Sequence, residues 1–168
     1  MRAILKIMKK PNFFHIKFVF TFVWIILLTI APISERANAS ADMGAPPIRE
    51  LQKMVKTVLM DFNEAVQNGD FSDFYSKICA PWKKQISAKE FEETFKEFID
   101  KKIDISDIDS LDAVFSQKPS IRKEAGFSTL VLQGFYKTNP NRTKFVLHFI
   151  DDGGWKLSRI EVDTTPDK

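Results

Sequence analysis

Thr143-Lys144-Phe145-Val146-Leu147-His148-Phe149-Ile150, then Asp151-Asp152-Gly153-Gly154, then Trp155-Lys156-Leu157-Ser158-Arg159-Ile160-Glu161-Val162, is the stretch that decides the fold. Two runs rich in branched and aromatic residues flank a polar, glycine-bearing turn, which is the signature of a β-hairpin. Asp152-Gly153 suits the positive dihedrals of a type I′ turn. With Ile150 facing Trp155, His148 falls opposite Leu157, Val146 opposite Arg159, Lys144 opposite Glu161 and Arg142 opposite Asp163. The last two are opposite-charge pairs, each contributing a few tenths of a kcal/mol to about one, so they corroborate the register more than they hold it. Phe145, Leu147, Phe149, Ile160 and Val162 then share the other face, which must be the main core face.

The cover for that face lies upstream. Ile48, Leu51, Val55, Val58, Leu59, Phe62 and Val66 fall at steps of three and four after Pro46-Pro47 and end at Asn68-Gly69, a helix with a plausible start and stop. Asp70 suits the cap of a second helix carrying Phe71, Phe74, Tyr75 and Ile78, which Pro81 stops from simply continuing. Ser87 and Glu90 form a capping box ahead of a third helix, with Phe91, Phe95, Phe98 and Ile99 on one face. The alternation of Ile103 to Asp109 is acid-rich, Leu111 to Ser116 reads as a short strand before Lys118-Pro119, and Phe127 to Tyr136 is a longer β run ended by Thr138-Asn139-Pro140-Asn141. The fold class expected is α+β: three N-terminal helices packed on a curved antiparallel sheet of about four strands.

The first 39 residues read differently. Basic residues precede an apolar run from Phe18 to Ile33, Pro32 and Ser34 break its helix, and Ala37 and Ala39 supply the small side chains an export peptidase requires. This predicts a signal peptide over 1–39, a small-residue linker over 40–46 and the α+β domain over 47–165. The competing reading is an uncleaved membrane anchor, since from Phe13 the apolar stretch approaches the roughly 20 residues of a bilayer span, although His15 and Lys17 interrupt it. Either way the domain is expected outside the cytoplasm, periplasmic or secreted, or tethered to the inner membrane by its leader, with no membrane contact otherwise.

Removing the leader changes the charge. The whole chain has 25 Lys and Arg against 22 Asp and Glu, net +3. Six of those bases and one acid lie in residues 1–39, leaving 19 bases and 21 acids, net −2. The remaining basic pairs, Lys83-Lys84, Lys101-Lys102 and Arg122-Lys123, are scattered among acids, so nucleic acid is not an expected partner. Cys79 is the sole cysteine, which excludes an intramolecular disulfide, and the 11 phenylalanines after residue 39 against 6 glycines call for a well-filled interior.

These elements resemble the NTF2-like superfamily, also called cystatin-like α+β cones. The likeness is carried by Asn68-Gly69-Asp70-Phe71 closing the long first helix, Ser87-Ala88-Lys89-Glu90-Phe91 opening a later one, and Gly153-Gly154-Trp155-Lys156-Leu157 followed by Ile160-Glu161-Val162. More narrowly the chain is similar to exported bacterial proteins with a strand patterned like Gly126, Leu130, Leu132, Gly134 and Tyr136, followed by Pro140. The resemblance spans Ile48 to Asp163. It implies a cone, and in enzymatic relatives a cavity walled in part by a hairpin between the second and third helices; only Ala80 to Ile86 is available for that here, so the implied pocket is shallow or absent.

No motif fixes a chemistry. His148 is the only histidine outside the leader, which leaves no multi-histidine metal site, and no metal or other cofactor is expected. On the hairpin register it lies beside Val146, Ile150, Trp155 and Leu157, an apolar patch on the sheet face turned from the core, where a partner, most simply another copy of the chain or an envelope protein, is expected to bind. Cys79 reads as a small buried hydrophobe. Tyr136, Tyr75 and Phe95 are the residues to seek around any interior cavity, where a carboxylate and a tyrosine would support isomerase-type chemistry on a small apolar ligand. Asp104, Asp107, Asp109 and Asp112 sit in a charged segment instead of an apolar strand. The expected function is therefore an exported, non-catalytic binding or self-associating domain, the alternative a small-molecule carrier or an isomerase- or dehydratase-type enzyme.

Overall fold

The computed structural model describes residues 2–4 and 45–166, so the expected cleavage site at Ala37 and Ala39 and most of the leader and linker lie outside the described residues. After a three-residue strand β1 (Arg2–Ile4) come α1 (Ile48–Asn68), α2 (Ser72–Lys77), α3 (Ala80–Lys83), α4 (Ala88–Thr94), α5 (Lys96–Asp100) and a 3-10 turn (Ser106–Ser110). The rest is β: β2 (Val114–Phe115), β3 (Ser120–Glu124), β4 (Phe127–Tyr136), β5 (Thr143–Asp151) and β6 (Trp155–Asp163). Strands β2 to β6 form one antiparallel sheet in which β4 pairs β5 and β5 pairs β6, while β2 and β3 share the far edge of β4; β1 lies along β6. The fold is α+β; among the described residues the domain itself supplies five strands, with β1 a sixth at the edge, where the sequence suggested about four. The added strand, β3, is short and carries Arg122 and Lys123, which hid its alternation.

Helix α1 forms as its stripe requires. Leu51, Val55, Leu59, Phe62 and Val66 are buried, and Gly69 closes it at φ 66°, where its amide donates to Val66. Two details depart from the expected three helices. Pro81 opens α3 instead of only ending α2, because a first helical turn needs no proline N–H. The third helix starts on its capping box, with Ser87 and Glu90 each bonded to the other's backbone, but breaks at Phe95 (φ −103°, ψ 10°) into α4 and α5. The acid-rich alternation of Ile103 to Asp109 forms no strand: Ser106–Ser110 is a 3-10 turn, reached through an irregular stretch over 103–105.

Phe62 centres the helical core, with edge-to-face contacts to Phe71, Phe74, Phe95 and Phe98 at ring-centre distances of 5.7, 6.0, 5.1 and 5.5 Å. The same buried cluster takes in Leu130, Leu132, Tyr136, Phe145, Leu147, Phe149, Ile160 and Val162 from one face of the sheet. Two amides sew the layers together. Gln52 donates to the Ala113 carbonyl (2.7 Å) and accepts from its N–H (2.8 Å), so a side chain on α1 pairs with the backbone just before β2. Buried Asn63 accepts from Ile105 N–H (2.9 Å) and donates to Asp104 (3.1 Å), anchoring the 3-10 turn. Each satisfies polar groups whose burial without a partner costs about 1–3 kcal/mol.

The hairpin forms, but its register differs from the one counted out from the turn. Asp151 pairs with Trp155, Ile150 with Lys156 and Phe149 with Leu157; beyond a bulge, His148 pairs with Arg159, Val146 with Glu161 and Lys144 with Asp163. The loop is three residues, with the positive dihedrals on Gly153 (φ 70°) and Gly154 (φ 113°) instead of on Asp152 and Gly153. Gly154 N–H donates to the Asp151 carboxylate (3.0 Å), and Asp152 accepts from Ala80 N–H (2.7 Å), fastening the turn to α3. Ser158 is the bulged residue, and its hydroxyl donates to the His148 carbonyl (3.1 Å).

Candidate functional site

The bulge decides which side chains share a face. Leu157 turns to the core, buried opposite Phe149 and bridged in parallel to Ile78, while Cys79 N–H donates to the Leu157 carbonyl (2.9 Å). Trp155, on the same side as Leu157, packs half-buried against the core cluster. Neither belongs with His148, so the patch expected to join His148, Trp155, Leu157, Val146 and Ile150 is not assembled. Val146, His148 and Ile150 alternate onto one side of β5, but His148 and Ile150 are buried, Ile150 within the core cluster, and Val146 is half-buried.

What surrounds His148 is charged. Its Nδ1 lies 3.2 Å from Glu124 Oε2 on β3, and because a carboxylate only accepts, Nδ1 carries the proton. Arg159 stands opposite it on β6 and bonds Glu161 two residues on; Arg122 is also within electrostatic reach. Burial pushes the imidazole below its usual value; Glu124 favours the charged form, but burial and the two guanidiniums outweigh one carboxylate, so the ring is neutral at pH 7. Arg159 Nε is buried and has no hydrogen-bond partner among the described residues.

Beside this cluster a groove of about 380 Å³ crosses β4, β5 and β6 at the end away from the hairpin turn. Gln133, Phe135, Val146, Glu161 and Asp163 line it, with Ser116 at the β2 edge and the Arg142 guanidinium 4.5 Å from the Phe135 ring centre. Burial would raise the Asp163 carboxyl, but the Thr165 hydroxyl (2.6 Å) and N–H (2.8 Å), with Lys144 opposite, hold it below the ordinary carboxylate value. The groove thus presents carboxylates, cations, an amide and a ring on one wall. The signal for Gln133 and Phe135 was in the sequence: Leu130, Leu132, Gly134 and Tyr136 face the core, so the intervening residues must face away.

The interior residues read as cavity candidates are not gathered around a cavity. Tyr75 donates to the Ile86 carbonyl (2.8 Å), tying α2 to the turn that follows α3, and Phe95 is fully buried against Phe62, Phe71 and Phe91. Tyr136 lies instead against Phe145, with its hydroxyl buried and unpartnered among the described residues; burial, with a smaller push from exposed Asp112, drives its pKa up to about 12. Burial also raises the Cys79 thiol, which leaves it an inert core residue. Among the described residues no three His, Cys, Asp or Glu side chains cluster as metal ligands, and no helix is long and apolar enough to cross a membrane. No family model, curated protein or solved structure matches the chain.

Proposed function

We propose that this is a non-catalytic binding domain that works by association through the open face of its sheet, most simply with a second copy of itself. The observation that carries the reading is the groove over β4, β5 and β6, where side chains of both signs flank Phe135 and Val146 on the face opposite the helices. A surface bearing both cations and carboxylates is suited to meet its own copy about a two-fold axis. The leader supports export, with a periplasmic, secreted or membrane-tethered site of action, and the long first helix closed by Gly69 ahead of a meandering sheet supports the NTF2-like kinship. The carrier or isomerase alternative has one feature in its favour, the unpartnered Tyr136 hydroxyl, but Asp112, the carboxylate nearest in effect, is exposed and so is not a base desolvated within a cone.

Sedimentation equilibrium tests the reading. A dimer is expected, weakened by Val146→Glu on the groove wall and unaffected by Trp155→Ala on the core side. A monomer at high concentration, or a dimer indifferent to Val146→Glu, refutes it.

A further inference from the structure

Resting on that reading, we propose that His148 is the proton-operated control of the open-face surface, coupling acidification to loss of association through Arg159 and Glu161. Three placements carry the inference. The ring is buried and, among the described residues, is bonded to Glu124 of β3. The other charged groups that face it are Arg122 of β3 and Arg159 of β6, while β4 between them presents uncharged Thr129 and Val131. Arg159 is in turn bonded to Glu161, which lines the groove.

With the imidazole neutral the cluster holds two guanidiniums and two carboxylates, and its charges balance. A proton taken up at Nε2 leaves three cations against Glu124 and Glu161, with the new charge on a buried ring between partly exposed Arg159 and Glu124. Arg159 is the group able to yield, because among the described residues its Nε has no partner and one bond, to Glu161, holds its Nη2. Its displacement takes the Glu161 carboxylate with it and so changes the groove wall. Glu124 offsets part of the extra charge, but it is one carboxylate beside two guanidiniums. The associated form therefore disfavours a proton that the free chain admits, and each pH unit below His148's value in the free chain, itself held under the ordinary 6.5 by burial, weakens association by up to about tenfold for each linked ring.

The test uses the full-length chain in sedimentation equilibrium at pH 7.5 and pH 5.5. Association several-fold weaker at the lower pH is expected, and His148→Asn, which keeps an amide donor for Glu124 but takes no proton, should hold its affinity within about twofold across the range. Equal association of the native chain at both values overturns the switch and leaves the binding surface standing; an Asn variant that keeps the native pH dependence does the same. No association at any pH overturns the surface and the switch with it. If far-UV circular dichroism shows His148→Asn unfolded, Glu124→Gln takes its place: removing the carboxylate that favours the protonated ring should move the midpoint to lower pH, and an unmoved midpoint overturns the proposal.

Discussion

Gly134 is the position where a single added methyl group tests the architecture. Glycine inside a strand is costlier than alanine by roughly 0.5–1 kcal/mol, so Gly134→Ala in an unobstructed strand would stabilise the protein. Here a Cβ would stand 2.3 Å from the Val114 carbonyl oxygen, 3.0 Å from its carbon and 2.9 Å from Phe145 Cζ. The first two are backbone, and the third is the far end of a ring only 2 % exposed and locked against Phe115 and Tyr136. Strand β2 must retreat. It cannot do so freely, because Gln52 holds Ala113 by both its N–H and its carbonyl. Losing the short β2 pairing forfeits about 1 kcal/mol per hydrogen bond, and forcing atoms into a filled core costs about 1–3 kcal/mol. We expect Gly134→Ala to destabilise by about 2–3 kcal/mol, the opposite sign from the strand average.

Urea unfolding measures the shift, and exchange of the Ser116 amide, which donates to the Gln133 carbonyl at 3.0 Å, should accelerate as β2 lifts away. A double-mutant cycle sharpens the result. With Gln52→Ala in the background β2 is freer to move, and the cost of Gly134→Ala should fall by about 1 kcal/mol. A neutral or stabilising Gly134→Ala, or strict additivity with Gln52→Ala, would refute the close approach of β2 to β4.

Two further outcomes follow from the buried polar groups. Tyr136→Phe removes a hydroxyl that has no partner among the described residues, so melting temperature should stay level or rise, where loss of a satisfied hydroxyl would cost about 1 kcal/mol; a clear fall would reveal a partner for that oxygen. In the native chain, absorbance titration should find one tyrosine that does not ionise until about pH 12. Stability should also decline as pH falls through His148's ordinary value of 6.5, because the unfolded chain takes up a proton there that the folded ring resists; the contribution is complete above that value and is lost toward the lower folded one. Chemical denaturation at pH 7 and pH 5 should show that slope flattened by His148→Asn, ahead of the loss from Asp70, Asp104 and Asp163, which lies below their ordinary 3.8.

Much of the fold was legible because its signals are redundant. Helix α1 announces itself by a stripe, a proline start and a glycine stop, and each has a visible structural counterpart. The break at Phe95 was not legible, since the same phenylalanines satisfy one bent helix or two short ones; only the crowding of rings around Phe62 distinguishes them. Strand β3 was missed because charges occupy most of its five positions and its pairing to β4 supplies what its own pattern lacks. The site fared worse. His148 and Val146 were placed on the correct face, but Glu124 reaches His148 from another strand, and no local spacing reports a partner 24 residues away.

The hairpin nonetheless contained the correction. Along β6 the apolar residues run Trp155, Leu157, Ile160, Val162: spacing of two, then three, then two. A regular strand puts the first pair on one face and the second pair on the other, which would leave Leu157 on the open face. Inserting one bulged residue between them restores all four to the core side. The bulge forfeits about one ladder hydrogen bond, worth 0.5–1.5 kcal/mol net at roughly those values, and the Ser158 hydroxyl offsets part of it by donating to the His148 carbonyl. Burying Leu157 contributes about 1.5–3 kcal/mol, so the bulged register is favoured. The same slip carries Arg159 across from His148 and moves Glu161 from Lys144 to Val146, so a packing requirement in the core sets which charges meet on the opposite face.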